Sequence, residues 1–341
     1  METEIDDENQ LIKSGLDCGI LTKEGRNNDK TIEIKTDRNS ELIALQLFGY
    51  HFAKRSIEVP YFPLVIWIET VSGCNLKCSM CPAGEGKVKD TGLMNMSLFK
   101  IIVNQLKDKP VIRTALFFRG EPLLNPEIVE MVRLAAHYNL KPYFHSNGML
   151  MTPELAEGLI KAGLTYISFS FDGEDKEEYE AARIGGTYET TLSNIINFLE
   201  IKKQLKSELP YVVIQKIDSN DKGITEAYKK RFDNLPVNQF KSVPIHSWSG
   251  GVEKFIKEKN PVAVHPCMWQ RLVICWNGTV VACCSDMLPK EILGDVTKET
   301  LEQIWNGEKI KELRYLMSTG QNKDIRLSLE CSSLYTNSWM V

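Results

Sequence analysis

From Tyr61 to about residue 250 the chain alternates short β-rich runs with helical patterns, and this rhythm restricts the fold more than any other feature. Strands are predicted at 65–70, 114–118, 142–144, 166–171, 211–217 and 240–245. Pro244 weakens the last of these or places it at a sheet edge. Between them fall helical patterns. One is marked by Leu98, Ile101, Ile102 and Leu106, with Ser97 as its N-cap. Another opens at Asn125-Pro126 and runs to about Asn139, and a third opens at Thr152-Pro153 and closes at Gly163. Two more cover 190–205 and 224–232. Six strands alternating with helices imply parallel βα units, so the expected class is α/β. In such sheets functional residues gather at the C-terminal ends of the strands.

The flanks differ. Residues 1–60 read as a polar N-terminal extension with a strand at 31–35 and an apolar helix around 42–52, in which Cys18 and His51 stand isolated. Residues 61–250 form the βα core. Residues 251–341 break the rhythm, with a turn at Trp276-Asn277-Gly278 and helical patterns at 301–305 and 310–317. Forty-one Lys and Arg against 45 Asp and Glu leave a net charge of −4, which offers no broad basic field for a phosphate backbone. No apolar run approaches the roughly 20 residues of a membrane helix. The first residues are acidic where a signal peptide would be basic, so a cytoplasmic location is expected.

Nine cysteines are the informative surplus in a chain expected to be cytoplasmic, where clustered thiols point to metal or redox chemistry. Cys74, Cys78 and Cys81 crowd into eight residues directly after the first strand, in Cys74-Asn-Leu-Lys-Cys78-Ser-Met-Cys81-Pro82. Three thiolates so close can hold three corners of an iron–sulfur cube and leave one iron without a protein ligand. An open metal site can take a substrate or cofactor. A structural zinc site would want four ligands, usually as two separated pairs, and no second pair follows nearby.

This spacing resembles the signature of the radical S-adenosylmethionine (SAM) enzymes. In that family the open iron of a catalytic [4Fe-4S] cluster is chelated by SAM, and an electron from the cluster releases a 5′-deoxyadenosyl radical that removes a substrate hydrogen atom. The resemblance implies a partial (β/α)6 TIM-like barrel, with Cys74, Cys78 and Cys81 as cluster ligands and Met80 near the adenine. Phe118-Arg119-Gly120-Glu121-Pro122 is similar to the family's Gly-Gly-Glu element, with Arg119 in place of the first glycine, so Gly120 and Glu121 would seat the SAM amino group. Asn147, Ser170 and Asp172 match polar strand-end positions that hold the ribose, although each could also be an ordinary Asx-type turn or strand-end residue. Arg183 looks like the arginine that pairs with the SAM carboxylate.

Four more cysteines fall within eighteen residues. The run His265-Pro-Cys267 to Cys283-Cys284-Ser-Asp286 resembles the SPASM/twitch extension, a small cysteine-containing α+β domain that carries auxiliary [4Fe-4S] clusters. Cys267, Cys283 and Cys331 are the implied ligands of one auxiliary cluster, with Cys275 or Cys284 as a further candidate; a three-ligand or metal-free site is the alternative. Adjacent residues on a strand face opposite ways, so the sequence leaves the choice involving Cys284 open. The expected activity is that of a radical SAM oxidoreductase or maturase acting on a small alcohol, amine or sugar, or on a peptide. Reduced flavodoxin or ferredoxin would be the electron donor. Lys216, His246 and Trp248, near the ends of the last two strands, are candidate substrate-side groups. The other function class is a non-catalytic iron–sulfur or zinc-binding interaction module.

Overall fold

A computed structural model describes residues 38–217, 223–245, 248, 251–252, 264, 266–321 and 325. The strand predicted at 31–35, Cys18, His246 and Cys331 lie outside these residues. Six strands hydrogen-bond in sequential order and all run parallel: β1 Val65–Ile68, β2 Arg113–Ala115, β3 Pro142–Ser146, β4 Tyr166–Ser170, β5 Tyr211–Ile217 and β6 Gln239–Val243. Parallel crossovers of one hand wind such a sheet in one direction and put the helices on one face. The result is the partial (β/α)6 barrel. Its β6 end is a sheet edge, and Pro244 follows immediately, where a missing N–H costs no ladder bond.

The alternation of side chains divides this sheet. Phe144, Ile167, Phe169, Val212 and Ile214 are fully buried toward the helices; Phe169, for example, meets Phe198 edge-on at 5.2 Å. Each such side chain contributes about 1.5–3 kcal/mol by leaving water. The opposite face carries an aromatic row. Phe117 packs against Trp67 at 4.7 Å and stacks on His145 at 4.6 Å, while Tyr166 lies between Tyr143 at 5.9 Å and Tyr211 at 6.0 Å. The helix Pro153–Ala162 begins and ends as its sequence demands: the Thr152 side chain accepts from the Leu155 N–H, and Gly163 takes φ +90°.

Two other helix starts differ from expectation. Helix Met96–Leu106 is capped by Asn95, whose Oδ1 accepts from Leu98 N–H at 2.9 Å, so Ser97 lies inside its first turn. Asn125 caps no α-helix. Its Nδ2 donates to Thr70 O and Met94 O at 2.8 and 3.1 Å, pinning the loop that follows β1, and the next helix spans Ile128–His137.

The C-terminal segment extends the same sheet. Strand β7, Arg271–Ile274, lies parallel beside β1, with Val65 opposite Arg271 and Ile68 opposite Ile274. A turn through Gly278, at φ +94°, leads to antiparallel β8, Thr279–Val281, and then to β9, Ile292–Asp295. Helices Leu301–Trp305 and Glu308–Ser318 close the segment. From the second of them, the buried Arg314 donates to Met268 O, Trp305 O and Ile57 O, satisfying three backbone acceptors with one guanidinium. Among the described residues no helix is long and apolar enough to cross a membrane.

Candidate active site and a second cysteine centre

The first centre is built on the loop between β1 and the helix Met96–Leu106. Cys74, Cys78 and Cys81 line one pocket together with Gly120, Glu121, Ser146, Asn147 and Ser170, at the C-terminal ends of strands or in the loops beyond them, and with Arg183 at the end of the helix Lys176–Ala182. The loop folds back tightly: a side chain at Gly84 would meet Cys78 O at 2.3 Å, so only glycine fits. Gly120 is held the same way, since a Cβ there would lie 2.4 Å from Gly73 O and 2.5 Å from Val71 O. Glu121 N–H donates to Gly73 O at 2.9 Å, joining the second strand's loop to the cysteine loop.

Several donors point at the sulfurs. Leu76 N–H lies 3.5 Å from Cys74 Sγ, Asn147 Nδ2 3.8 Å from the same atom, and Arg183 Nη1 3.7 Å from Cys78 Sγ. Sulfur acceptors facing backbone amides and a cation suit thiolates rather than inert thiols. Binding of a metal by these cysteines displaces their thiol protons. Arg183 Nε also donates to Asp172 Oδ2 at 2.6 Å, and Asp172 Oδ1 accepts from Ile217 N–H at 2.6 Å. Asp172 is thus committed to holding Arg183, whereas Ser170 faces the pocket.

Glu121 is buried. Its carboxylate accepts from Ser146 Oγ and Asn147 N–H, each at 2.7 Å, and from Leu123 N–H at 3.3 Å. Burial outweighs these donors and pushes its pKa up to about 7. Arg119, the departure from the glycine pattern, makes a two-pronged ion pair with Glu69. Its Nε and Nη2 donate to the two carboxylate oxygens at 2.7 and 2.6 Å, both side chains being almost wholly buried. Glu69 Oε2 also accepts from Trp276 N–H at 3.1 Å, in the β7–β8 turn, so this pair ties the cysteine loop's strand to the C-terminal hairpin.

Sequence reasoning missed that partnership because Glu69 was read only as part of a strand. It also gave no role to His145, which lines the pocket, stacks on Phe117 and has no partner for Nε2. Burial, with Lys241 and Arg113 nearby, pushes its pKa down to about 3 and keeps the ring neutral. The signal was its place two residues before Asn147, on the inward phase of β3. Of the substrate-side candidates, Trp248 lines the pocket and donates from Nε1 to Met80 O at 3.0 Å. Lys216 does not: it is buried on the helix side, with Nζ 2.6 Å from Glu174 Oε1 and 5.8 Å from the centre of the Tyr228 ring.

The second centre lies past β8. Cys267 opens a one-turn helix, and Cys283 and Cys284 come one residue beyond the end of the strand, after Ala282. Because the chain turns there, with Asp286 N–H donating to Cys283 O at 3.0 Å, the two neighbours do not face opposite ways. The sulfurs of Cys267, Cys283 and Cys284 all lie within 4.8 Å of one another. Ser285 N–H donates to Cys283 Sγ at 3.4 Å, and Arg271 Nη1 to Cys284 Sγ at 3.2 Å. Cys275 is not one of this trio; it packs with Phe118, Val273, Val281 and Met287, against which Cys284 also rests.

Both segments match known families. Residues 68–216 match the radical SAM superfamily and residues 266–333 the SPASM iron–sulfur cluster-binding domain. The chain belongs to the radical SAM superfamily and carries a SPASM-type C-terminal domain. The first domain implies a [4Fe-4S] cluster and SAM, the second auxiliary iron–sulfur clusters; Cys74, Cys78 and Cys81 share one pocket, whereas only the sulfurs of Cys267, Cys283 and Cys284 converge within 4.8 Å among the described residues.

The chain is 31% identical over 135 residues to the AdoMet-dependent heme synthase of Methanosarcina barkeri, a match covering 39% of this chain and 38% of that one. The chain therefore spans well under half the length of this relative. It is 21% identical over 273 residues to the S-adenosyl-L-methionine-dependent 2-deoxy-scyllo-inosamine dehydrogenase of Niallia circulans, covering 79% of this chain and 93% of that enzyme. The fold is shared with Streptococcus suis SuiB bound to its precursor peptide SuiA, at a TM-score of 0.59 and 15% identity, over 92% of this chain and 78% of that one.

Proposed function

We propose that this protein is a radical SAM oxidoreductase that reductively cleaves SAM and removes a hydrogen atom from a small hydroxylated or amino-bearing molecule. The observation that carries the reading is the single pocket that gathers Cys74, Cys78 and Cys81 with Gly120, Glu121, Asn147, Ser170 and Arg183. When bound, the cluster and SAM supply one electron and a carbon radical that accepts one hydrogen atom. This chain's residues hold, orient and exclude water.

Cys74, Cys78 and Cys81 hold the cluster, and the Gly120 backbone and Glu121 carboxylate seat the SAM amine. Ser170 would bond the ribose, as would Asn147 once its amide, which donates to Asn75 Oδ1 and accepts from Met149 N–H, exchanges a partner, and Asp172 would act on the same side through Arg183. Arg183, braced by Asp172 at Nε and facing Cys78 Sγ with Nη1, would offer Nη2 to the SAM carboxylate. A small-molecule substrate is favoured over a peptide because the dehydrogenase match covers nearly the whole of that enzyme, and because His145, whose ring Nε2 has no hydrogen-bond partner, lines the pocket. Such a ring can donate or accept one hydrogen bond. Loss of a hydrogen atom followed by loss of one electron and a proton would complete a two-electron oxidation, and Cys267 and Cys283 would hold the cluster able to accept that electron. Reduced flavodoxin or ferredoxin in the cytoplasm would supply the first electron.

The reading is tested by reconstituting the protein anaerobically and adding dithionite and SAM. 5′-Deoxyadenosine must form, and Cys78→Ala must abolish it. A protein that loads iron but yields no 5′-deoxyadenosine is instead a binding module. Incubation with deuterated cell extract then identifies the hydrogen donor, because the deuterium appears in 5′-deoxyadenosine.

A further inference from the structure

We propose that Cys284 is a ligand of the auxiliary centre, together with Cys267 and Cys283, and that Arg271 is the cation that compensates its charge. The proposal rests on the iron–sulfur reading of residues 266–333 and names which of the spare cysteines takes part. Both Cys275 and Cys284 lie in reach of the segment by sequence, and geometry separates them. Among the described residues, Cys267, Cys283 and Cys284 are the one trio of metal-ligating side chains whose donor atoms all approach within 4.8 Å. Cys275 lies outside that trio: it packs with Phe118, Val273, Val281 and Met287, a cluster whose edge Cys284 also touches.

The convergence has a local cause. A strand would send Cys283 and Cys284 to opposite faces. Here β8 ends at Val281 and the chain bends around the Asp286 N–H to Cys283 O bond, which brings the second thiol back toward Cys267. Asp286 keeps this bend closed, since its carboxylate accepts from the backbone N–H groups of Lys290 and Glu291 at 2.8 to 2.9 Å.

Arg271 supplies the second, independent observation. It is buried at the start of β7, with Nη1 3.2 Å from Cys284 Sγ and Nε and Nη2 both donating to Gln270 Oε1, at 3.2 and 2.6 Å. A guanidinium N–H donating to a sulfur is a stronger contact when that sulfur is a thiolate, as it is when bound to metal. Three or four thiolates around a cluster leave it net negative. A cation donating to one of those sulfurs stabilises the reduced form and raises the reduction potential. That suits a centre which takes an electron from a substrate radical.

The test uses the full chain carrying Cys74→Ala, Cys78→Ala and Cys81→Ala, so that only the auxiliary centre can load. After anaerobic reconstitution with iron and sulfide, this protein is compared with versions also carrying Cys284→Ala, Cys284→Ser, Cys275→Ala or Cys267→Ala. Iron and acid-labile sulfide are measured, with the electron paramagnetic resonance (EPR) spectrum of the reduced state. Cys284→Ala is expected to lose more than half of the iron. Cys284→Ser should retain iron with shifted g-values, and Cys275→Ala should match the parent in both. If Cys284→Ala and Cys284→Ser keep the parent's iron and g-values while Cys267→Ala loses its iron, the assignment of Cys284 fails and the cluster survives. If Cys267→Ala also keeps the parent's iron, the auxiliary cluster itself is wrong. Arg271→Gln and Arg271→Lys test the charge: a more negative midpoint potential in the Gln variant, restored by Lys, is expected. An unmoved potential in both overturns the role of Arg271.

Discussion

The two cysteine centres sit on one sheet and differ in access. Cys74 is exposed, and its trio borders a pocket shared with polar strand ends. Cys267 and Cys283 are buried and Cys284 is half-buried, and the cation near their trio is enclosed with them. Access decides chemistry: a metal whose neighbourhood is open to a pocket can gain a ligand, and one walled in by protein can exchange only electrons. The buried pair Glu69–Arg119, which also accepts from Trp276, holds the two regions in fixed relation.

The harshest test of this contrast is Cys78→Ala, which should abolish 5′-deoxyadenosine formation and leave the auxiliary EPR signal in place. Loss of both signals would mean that the centres are not independent. Next in size is Arg119→Ala. It leaves the Glu69 carboxylate buried without its cation and should cost about 3–5 kcal/mol in a denaturant melt, even though a glycine is the residue expected at this position from the family pattern. A loss under ~1 kcal/mol would show that the pair does not join the two regions.

A third prediction concerns pH in the metal-free protein. Glu121, pushed up to about 7, holds a proton in the folded state that an unfolded glutamate has lost by about pH 5, so its contribution to stability falls as pH rises from about 5 to 7. His145, pushed down to about 3, lacks a proton that the unfolded chain carries, so its contribution is lost as pH falls below about 6.5. Between about pH 5 and 6 the two trends oppose each other. Glu121→Gln should expose a stability that rises with pH, and His145→Phe one that falls, each by up to ~1.4 kcal/mol per pH unit in urea titrations. Identical slopes in both variants would remove the buried pocket from the explanation. The smallest effect is expected at Cys275→Ala, about 1 kcal/mol of stability with no change in iron. A drop in iron there would move the auxiliary site.

Local chemistry was the most legible part of the sequence. Thr152-Pro153 and Gly163 bound their helix as expected, and the strand at 211–217 is residue-perfect, because caps and a long β-branched run act within a few residues. What escaped was set at a distance. Asn125 looked like a cap, yet it reaches Thr70 and Met94, and Ser97 was outcompeted by Asn95 two residues earlier. The pairing of β7 with β1 joins segments about two hundred residues apart, and nothing in either strand's alternation announces the other. At the site, the trio Cys74, Cys78 and Cys81 and its strand-end neighbours could be read from spacing. Glu69 with Arg119 and the turn that brings Cys284 to Cys267 could not, because both depend on how the C-terminal hairpin meets the barrel.

The contrast in access is tested most directly by titrating SAM into two reduced proteins, each keeping one centre. In the protein carrying Cys267→Ala the EPR signal should change on addition of SAM, because the pocket beside Cys74, Cys78 and Cys81 admits it. In the protein carrying Cys74→Ala, Cys78→Ala and Cys81→Ala the signal should stay as it was. A signal that ignores SAM in the first protein, or responds to it in the second, contradicts the assignment of the open centre.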